Sequence, residues 1–202
     1  MKKLIVFSMM LLLISLAGHA QNAVQARKVL DKTARLVGRK GGASADFAIT
    51  SSKYGNQSGT LAIKGTKFHA KTNQANVWFN GKTQWSYMHK TNEVNVSTPN
   101  EAKQMSMNPL KFISMYKNGY NLGMTTVGGN YKVHLTATNQ KRSVPEMYVT
   151  VKKNYEPIEV RMRQGKTWTT ITISNFQAKN LDDKTFEFNS RDFPTAEVVD
   201  LR

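Results

Sequence analysis

Residues 59–87 read GTLAIKGTKFHAKTNQANVWFNGKTQWSY, and this stretch decides the fold class. Leu61 and Ile63, Phe68 and Ala70, Val77 and Phe79, and Trp85 and Tyr87 each set apolar side chains two residues apart. That is the period of a strand with one buried face. Lys64-Gly65-Thr66 and Asn80-Gly81-Lys82 separate the pieces with residues suited to tight turns. Asn80-Gly81 in particular suits a two-residue hairpin turn, because both residues tolerate positive φ. The stretch therefore predicts successive antiparallel hairpins.

The same alternation continues outward on both sides. Before it come Phe47/Ile49 and the turn Tyr54-Gly55-Asn56; after it come Lys90-Thr91-Asn92 and Val94/Val96. A second set follows in Tyr120/Leu122/Met124, Tyr131/Val133/Leu135, Met147/Val149/Val151, Ile158/Val160/Met162, Trp168 with Ile171/Ile173, and Phe186/Phe188. Gly128-Gly129-Asn130 and Gln164-Gly165-Lys166 mark further hairpins. About eleven short antiparallel strands with one apolar face predict a strongly curved sheet or barrel.

Two segments break the pattern. In residues 23–40, Ala23, Ala26, Leu30, Ala34 and Val37 recur at helical spacing, and Gly38 and Gly41-Gly42 supply a stop. Residues 99–119 do not alternate; Asn108-Pro109 reads as a helix start and Asn118-Gly119 as its stop. Met105, Met107 and Met115 lie there with Phe112 and Tyr116, and methionine suits surfaces that accept varied apolar ligands. A curved sheet covered by two helices leaves an apolar cavity with a lid.

The first residues read as an address. Met1-Lys2-Lys3, the apolar run Leu4 to Ala17, and Gly18-His19-Ala20 form a secretory signal peptide with cleavage after Ala20. The run is shorter than the roughly 20 residues that span a bilayer. Cleavage leaves one domain, residues 21–202, in a bacterial periplasm, and removes two lysines from a formal charge of +16.

Little in the chain can do chemistry. There is no cysteine, which excludes disulfides, thiolate metal sites and thiol nucleophiles. The four histidines, at 19, 69, 89 and 134, have no carboxylate at ligand spacing, and no nucleophile elbow or phosphate-binding glycine loop is present. The reading is a non-enzyme without cofactor or metal. The basic charge points to anionic headgroups or acidic partner surfaces rather than to nucleic acid, for which no recognition motif exists.

Gly59-Thr60-Leu61-Ala62-Ile63-Lys64, then Lys67-Phe68, then Val77-Trp78-Phe79-Asn80-Gly81-Lys82-Thr83-Gln84-Trp85-Ser86-Tyr87 resembles the outer-membrane lipoprotein carrier family, the LolA-like proteins. Asn92-Glu93-Val94, Asn108-Pro109-Leu110 and the ending Phe193-Pro194 to Arg202 fit it too, in the manner of short Bacteroidetes forms. The resemblance implies an open, incomplete antiparallel β-barrel of about eleven strands enclosing an apolar cavity under two lid helices. It implies a periplasmic carrier that hides the acyl chains of lipoproteins and moves them toward the outer membrane. The partners it implies are an inner-membrane ABC release complex and an outer-membrane acceptor, with the carrier a monomer. The chain departs from the family where Asn80 replaces the hairpin Asp and Gly65-Thr66 replaces an Arg-Pro linked to lid closure. A lipid-sensing regulator of envelope stress, or a shuttle for free lipid or glycolipid, is the alternative on the same fold. An ending at Arg202, without a regulator's additional domain, favours the carrier.

The expected acyl-binding residues are Phe47, Leu61, Ile63, Phe68, Phe79, Trp85 and Tyr87 on the sheet, with Met105, Met107, Leu110, Ile113 and Tyr116 on the lid. Arg27, Lys28, Lys32, Arg35 and Arg39 on the basic first helix are the expected contact with a partner or membrane. Alternation alone leaves open which strand face lines the cavity.

Overall fold

The computed structural model describes residues 21–52, 55–100 and 114–202. The segment expected to be the signal peptide and most of the expected second lid helix, with Met105, Met107, Leu110 and Ile113, lie outside them. Helix α1 covers residues 21–37. Six strands follow: β1 (Ala43–Ser51), β2 (Gly55–Lys64), β3 (Lys67–Thr72), β4 (Ala75–Phe79), β5 (Gln84–Met88) and β6 (Glu93–Ser97). The remainder are β7 (Tyr120–Val127), β8 (Asn130–Ala137), β9 (Glu146–Val151), β10 (Pro157–Gln164), β11 (Thr167–Ala178) and β12 (Glu197–Asp200).

All twelve join one sheet in the order β12-β6-β5-β4-β3-β2-β1-β11-β10-β9-β8-β7, and β12 and β7 do not meet. Every pairing is antiparallel except β12 with β6. The fold is thus the expected open β-barrel. It curves strongly around α1. Asn22 binds β7 and Val37 packs on Ile63 of β2. Between them the helix rises about 22 Å, whereas the six strand spacings from β7 to β2 would span about 29 Å in a flat sheet.

The helix stripe buries Ala26, Val29, Leu30, Thr33 and Val37, a wider face than the spacing of three and four suggested. Its first half packs on Tyr116, Tyr120, Val133, Leu135, Met147 and Met162. The helix ends earlier than expected, with Gly38 N donating to Ala34 O at 2.8 Å and Gly42 taking φ +99° to lead into β1. At the N-terminus, Asn22 Nδ2 donates to Met124 O at 2.9 Å, and Met124 N donates to Asn22 Oδ1 at 2.6 Å. One carboxamide thus pairs with edge strand β7 as a neighbouring strand would, blunting that edge.

Three sequence expectations need correction. Phe186 and Phe188 do not form a strand: Asp183–Phe186 is a 3-10 turn capped by the Asp182 side chain, which accepts from Lys184 N. The last strand is instead Glu197–Asp200, running parallel to β6. The β4–β5 connection turns on Gly81-Lys82 rather than Asn80-Gly81, with Gly81 at φ +100°. Asn80 Oδ1 closes it by accepting from Lys82 N at 3.0 Å and Thr83 N at 2.9 Å. Either Asn or Asp can accept those bonds, so Asn80 serves the turn as the family's Asp would.

Candidate functional site

Cross-strand partners share a face, so the register settles what alternation left open. Ile63 pairs with Phe68 and Phe68 with Phe79, and all three pack on Val37 of α1. They lie on the inner face. Leu61 is on the same side of β2, and Phe47, opposite Gly59, joins it. Trp85 faces Trp78 and Tyr87 faces Asn76, which places both on the outer face. They therefore do not line the inside, because each alternates with the inward Gln84 and Ser86.

Depth separates the inward residues. Ile63, Phe68 and Phe79 are fully packed, Phe79 at 1% exposure, so they hold up the site rather than offer a surface. Phe47 and Leu61 are half-buried, and so are Ile49, Ile171 and Ile173. Ile49 pairs with Ile171 and Phe47 with Ile173, forming a strip in β1 and β11 between the two packed clusters. The inner, concave face therefore carries a half-buried apolar strip, or trough, of Phe47, Ile49, Leu61, Ile171 and Ile173, in which Leu61 packs on the Val37 cluster and Ile171 on the other. The three isoleucines sit in runs that the alternation identified, but nothing in the sequence distinguished them from core.

Two local devices shape the trough. Gly59 has no room for a side chain: a Cβ there would stand 2.0 Å from the Lys71 carbonyl oxygen, so β2 and β3 approach closely opposite Phe47. In β11, Asn175 and Phe176 bulge opposite Ala45, with Asn175 at φ +51°. The bulge returns Phe176 to the inner face against the Val37 cluster, and Asn175 Nδ2 is held by Asp46 Oδ2 at 2.6 Å.

Tyr116 is buried rather than exposed to the trough. Its hydroxyl donates to Asp31 of α1, and burial and this bond hold the phenol far above its ordinary pKa. The basic face of α1 is partly tied down. Arg27 Nη1 donates to Lys117 O at 3.4 Å, Lys32 Nζ to Tyr155 OH at 2.9 Å, Arg35 Nε to Asp31 O at 3.3 Å and Arg39 Nη2 to Asn180 Oδ1 at 3.5 Å. Lys28 projects into solvent.

The outer face has a different covering. Trp78 and Tyr87 meet Phe193 at centroid separations of 5.6 and 4.5 Å, and Phe188 joins them, so the C-terminal arm covers β4 and β5. His69 stacks on Trp78 at 4.9 Å with its Nε2 buried and unpartnered, and burial followed by the nearby Lys71 charge lowers its pKa. On β8–β10, burial opposes ionisation of Glu146, but hydrogen bonds from Tyr148, Arg163 and His134 outweigh it and lower its pKa. Among the described residues no group of His, Asp or Glu could hold a metal ion, and no helix is long and apolar enough to cross a membrane.

The family model for the outer membrane lipoprotein carrier protein LolA matches residues 16–166. An uncharacterized conserved protein from Thermus thermophilus superposes with a TM-score of 0.59 at 13% identity, over 87% of this chain and 99% of that one. A putative outer membrane lipoprotein-sorting protein domain from Vibrio parahaemolyticus gives 0.43 at 11% identity, over 85% and 97%. Lipoprotein LppX from Mycobacterium tuberculosis gives 0.39 at 12%, over 83% and 97%. A search of curated proteins finds no match. With three quarters of its length matched by that model, the chain belongs to the LolA family of outer-membrane lipoprotein carrier proteins, a family of binding proteins rather than enzymes.

Proposed function

We propose that the protein is a periplasmic carrier that holds lipoprotein acyl chains in the inner trough and moves them from the inner toward the outer membrane without catalysis. The observation that carries this reading is the half-buried strip Phe47, Ile49, Leu61, Ile171 and Ile173, an apolar floor between two closed cores. Each buried methylene is worth about 0.8 kcal/mol, so a 16-carbon chain gains on the order of 12 kcal/mol out of water. A carrier must also let go. A floor of separate, incompletely enclosed side chains meets an acyl chain without matching it, which keeps release possible.

Residues 1–20 act in this reading as the cleaved export signal, and residues 21–202 as the carrier. The lid role expected of Met105, Met107, Leu110 and Ile113 rests on the sequence, since these residues lie outside the described ones. Gly65-Thr66 forms a simple β2–β3 turn with Gly65 at φ +58°, so lid closure here uses no arginine at that turn. The solvent-facing Lys28 and its neighbours on α1 supply the contact to the release complex, the outer-membrane acceptor or the lipid surface.

The test is to isolate the protein from its own periplasm and identify by mass spectrometry what co-purifies. Acylated lipoproteins near one-to-one support the reading and name the clients. Free phospholipid or glycolipid alone moves it to a lipid shuttle. An empty protein bound to a non-acylated partner contradicts both.

A further inference from the structure

A second feature lies on the opposite side of the sheet from the trough. Register places Arg161 of β10 beside Thr170 of β11, and Thr170 beside Thr50 of β1, all on the outer face. They line an open depression of about 580 Å³, together with Lys132, Glu159, Lys166 and Trp168. That volume is in the range of small-ligand sites.

The grouping of the cations in one depression beside aromatic rings is the informative part. Some basic residues are taken up by acids: Arg163 by Glu146, Lys152 by Glu156, and both Lys64 and Lys67 by Asp183. Among the described residues, Lys132, Arg161 and Lys166 make no ion pair, although Glu159 stands in the same depression. Two of them rest on aromatic rings instead. The Arg161 guanidinium lies 4.6 Å from the Trp168 ring centre, and Lys132 Nζ lies 5.1 Å from that of Tyr148. Stacking on indole fixes the guanidinium plane and leaves its in-plane N–H donors free to grip two oxygens at once. The Thr50 and Thr170 hydroxyls add neutral donors in line with it. Together these are the requirements for a phosphate group, and an adjacent Trp suits the polar–apolar boundary where phospholipid headgroups lie.

We propose that this depression is a binding site for a phosphate-bearing anion, with Arg161 as the oriented clamp and Lys132 and Lys166 as flanking charges. The site is separate from the acyl trough and stands whether or not the trough reading holds. Its ligand comes either from an anionic phospholipid headgroup or from a soluble phosphate ester.

The experiment titrates the purified protein with phosphatidylglycerol-containing vesicles, with zwitterionic phosphatidylcholine vesicles, and with glycerol phosphate. Two readouts are followed: co-sedimentation and the Trp168 indole resonance, assigned with Trp168→Phe. Expected is binding to the anionic vesicles with a shift at Trp168, weakened roughly tenfold by Arg161→Gln and by Arg161→Lys, because the planar fork and not charge alone is used. Lys82→Gln and Lys90→Gln, exposed at the turns on either side of β5 and remote from the depression, leave it unchanged. A Trp168 shift with glycerol phosphate but without vesicle binding upholds the site and assigns the soluble source. Absence of any Trp168 shift, wild-type binding by a folded Arg161→Gln protein, or equal loss from Lys82→Gln and Lys90→Gln overturns the proposal. Thermal unfolding of each variant separates a lost ligand from a lost fold, and Arg161 is exposed enough for replacement to leave the fold intact.

Discussion

Replacing Phe47 and Phe79 by alanine separates the trough from its support. Both rings are on the inner face, but Phe79 is 1% exposed inside the Val37 cluster while Phe47 is half-buried in the strip between the clusters. Phe79→Ala opens a cavity in packed core and costs about 3–5 kcal/mol of stability. Phe47→Ala removes a ring that already meets solvent, so its stability cost is about 1 kcal/mol. On the proposed function the exposed half of that ring covers the acyl chain in the loaded protein. Half of a phenylalanine's burial is worth about 1 kcal/mol, which is roughly fivefold in affinity. Urea unfolding measures the first quantity, and displacement of a fluorescent fatty acid measures the second. The account expects a large stability loss with Phe79→Ala, and weaker probe binding by a still-folded Phe47→Ala protein. Unchanged probe affinity in folded Phe47→Ala would refute the placement of the acyl chain over the β1–β11 strip.

Three further outcomes follow from particular contacts. Asn22→Ala removes both bonds to Met124 on edge strand β7 and costs about 2 kcal/mol in thermal or urea unfolding, whereas a loss below about 0.5 kcal/mol would mean the edge is held by packing alone. Asn80→Asp leaves stability within about 0.5 kcal/mol, while Asn80→Ala loses the two turn bonds and about 1–2 kcal/mol. The folded His69 has a lowered pKa, so the unfolded chain binds the extra proton first. Stability is therefore full above the unfolded value of about 6.5 and falls as pH drops toward the lower folded value. In His69→Phe that part of the acid sensitivity disappears, and urea midpoints across the window measure it.

Much of the architecture is legible in local pattern. The pairs from Phe47/Ile49 to Ile171/Ile173 announced their strands because a period of two repeated between turn residues. The parallel β12 was not legible: Glu197–Asp200 is short, and its pairing with β6 is a long-range contact that no local period encodes. Phe186 and Phe188 imitated a strand because two aromatics two apart also suit a 3-10 turn and an arm laid over Trp78. The site was half legible for a related reason. Alternation shows that one face is apolar but not which face is inward, and in β5 the larger side chains face outward, where Phe193 of the C-terminal arm meets Tyr87. Trp85 and Tyr87 are therefore expected in the trough from sequence, while Ile49, Ile171 and Ile173 stand out there only as members of their alternating runs. Depth is a property of the curved sheet, so Ile63 and Leu61, two residues apart on one strand, differ in role.

The most direct test of the acyl trough is photocrosslinking in the native cell. A benzoylphenylalanine is placed at inward Phe47 or Ile173, or at outward Tyr87, and the products are identified by mass spectrometry. The account predicts crosslinks to acylated lipoproteins from positions 47 and 173 and none from 87. Equal capture from position 87, or no acylated product from 47 and 173, would contradict it.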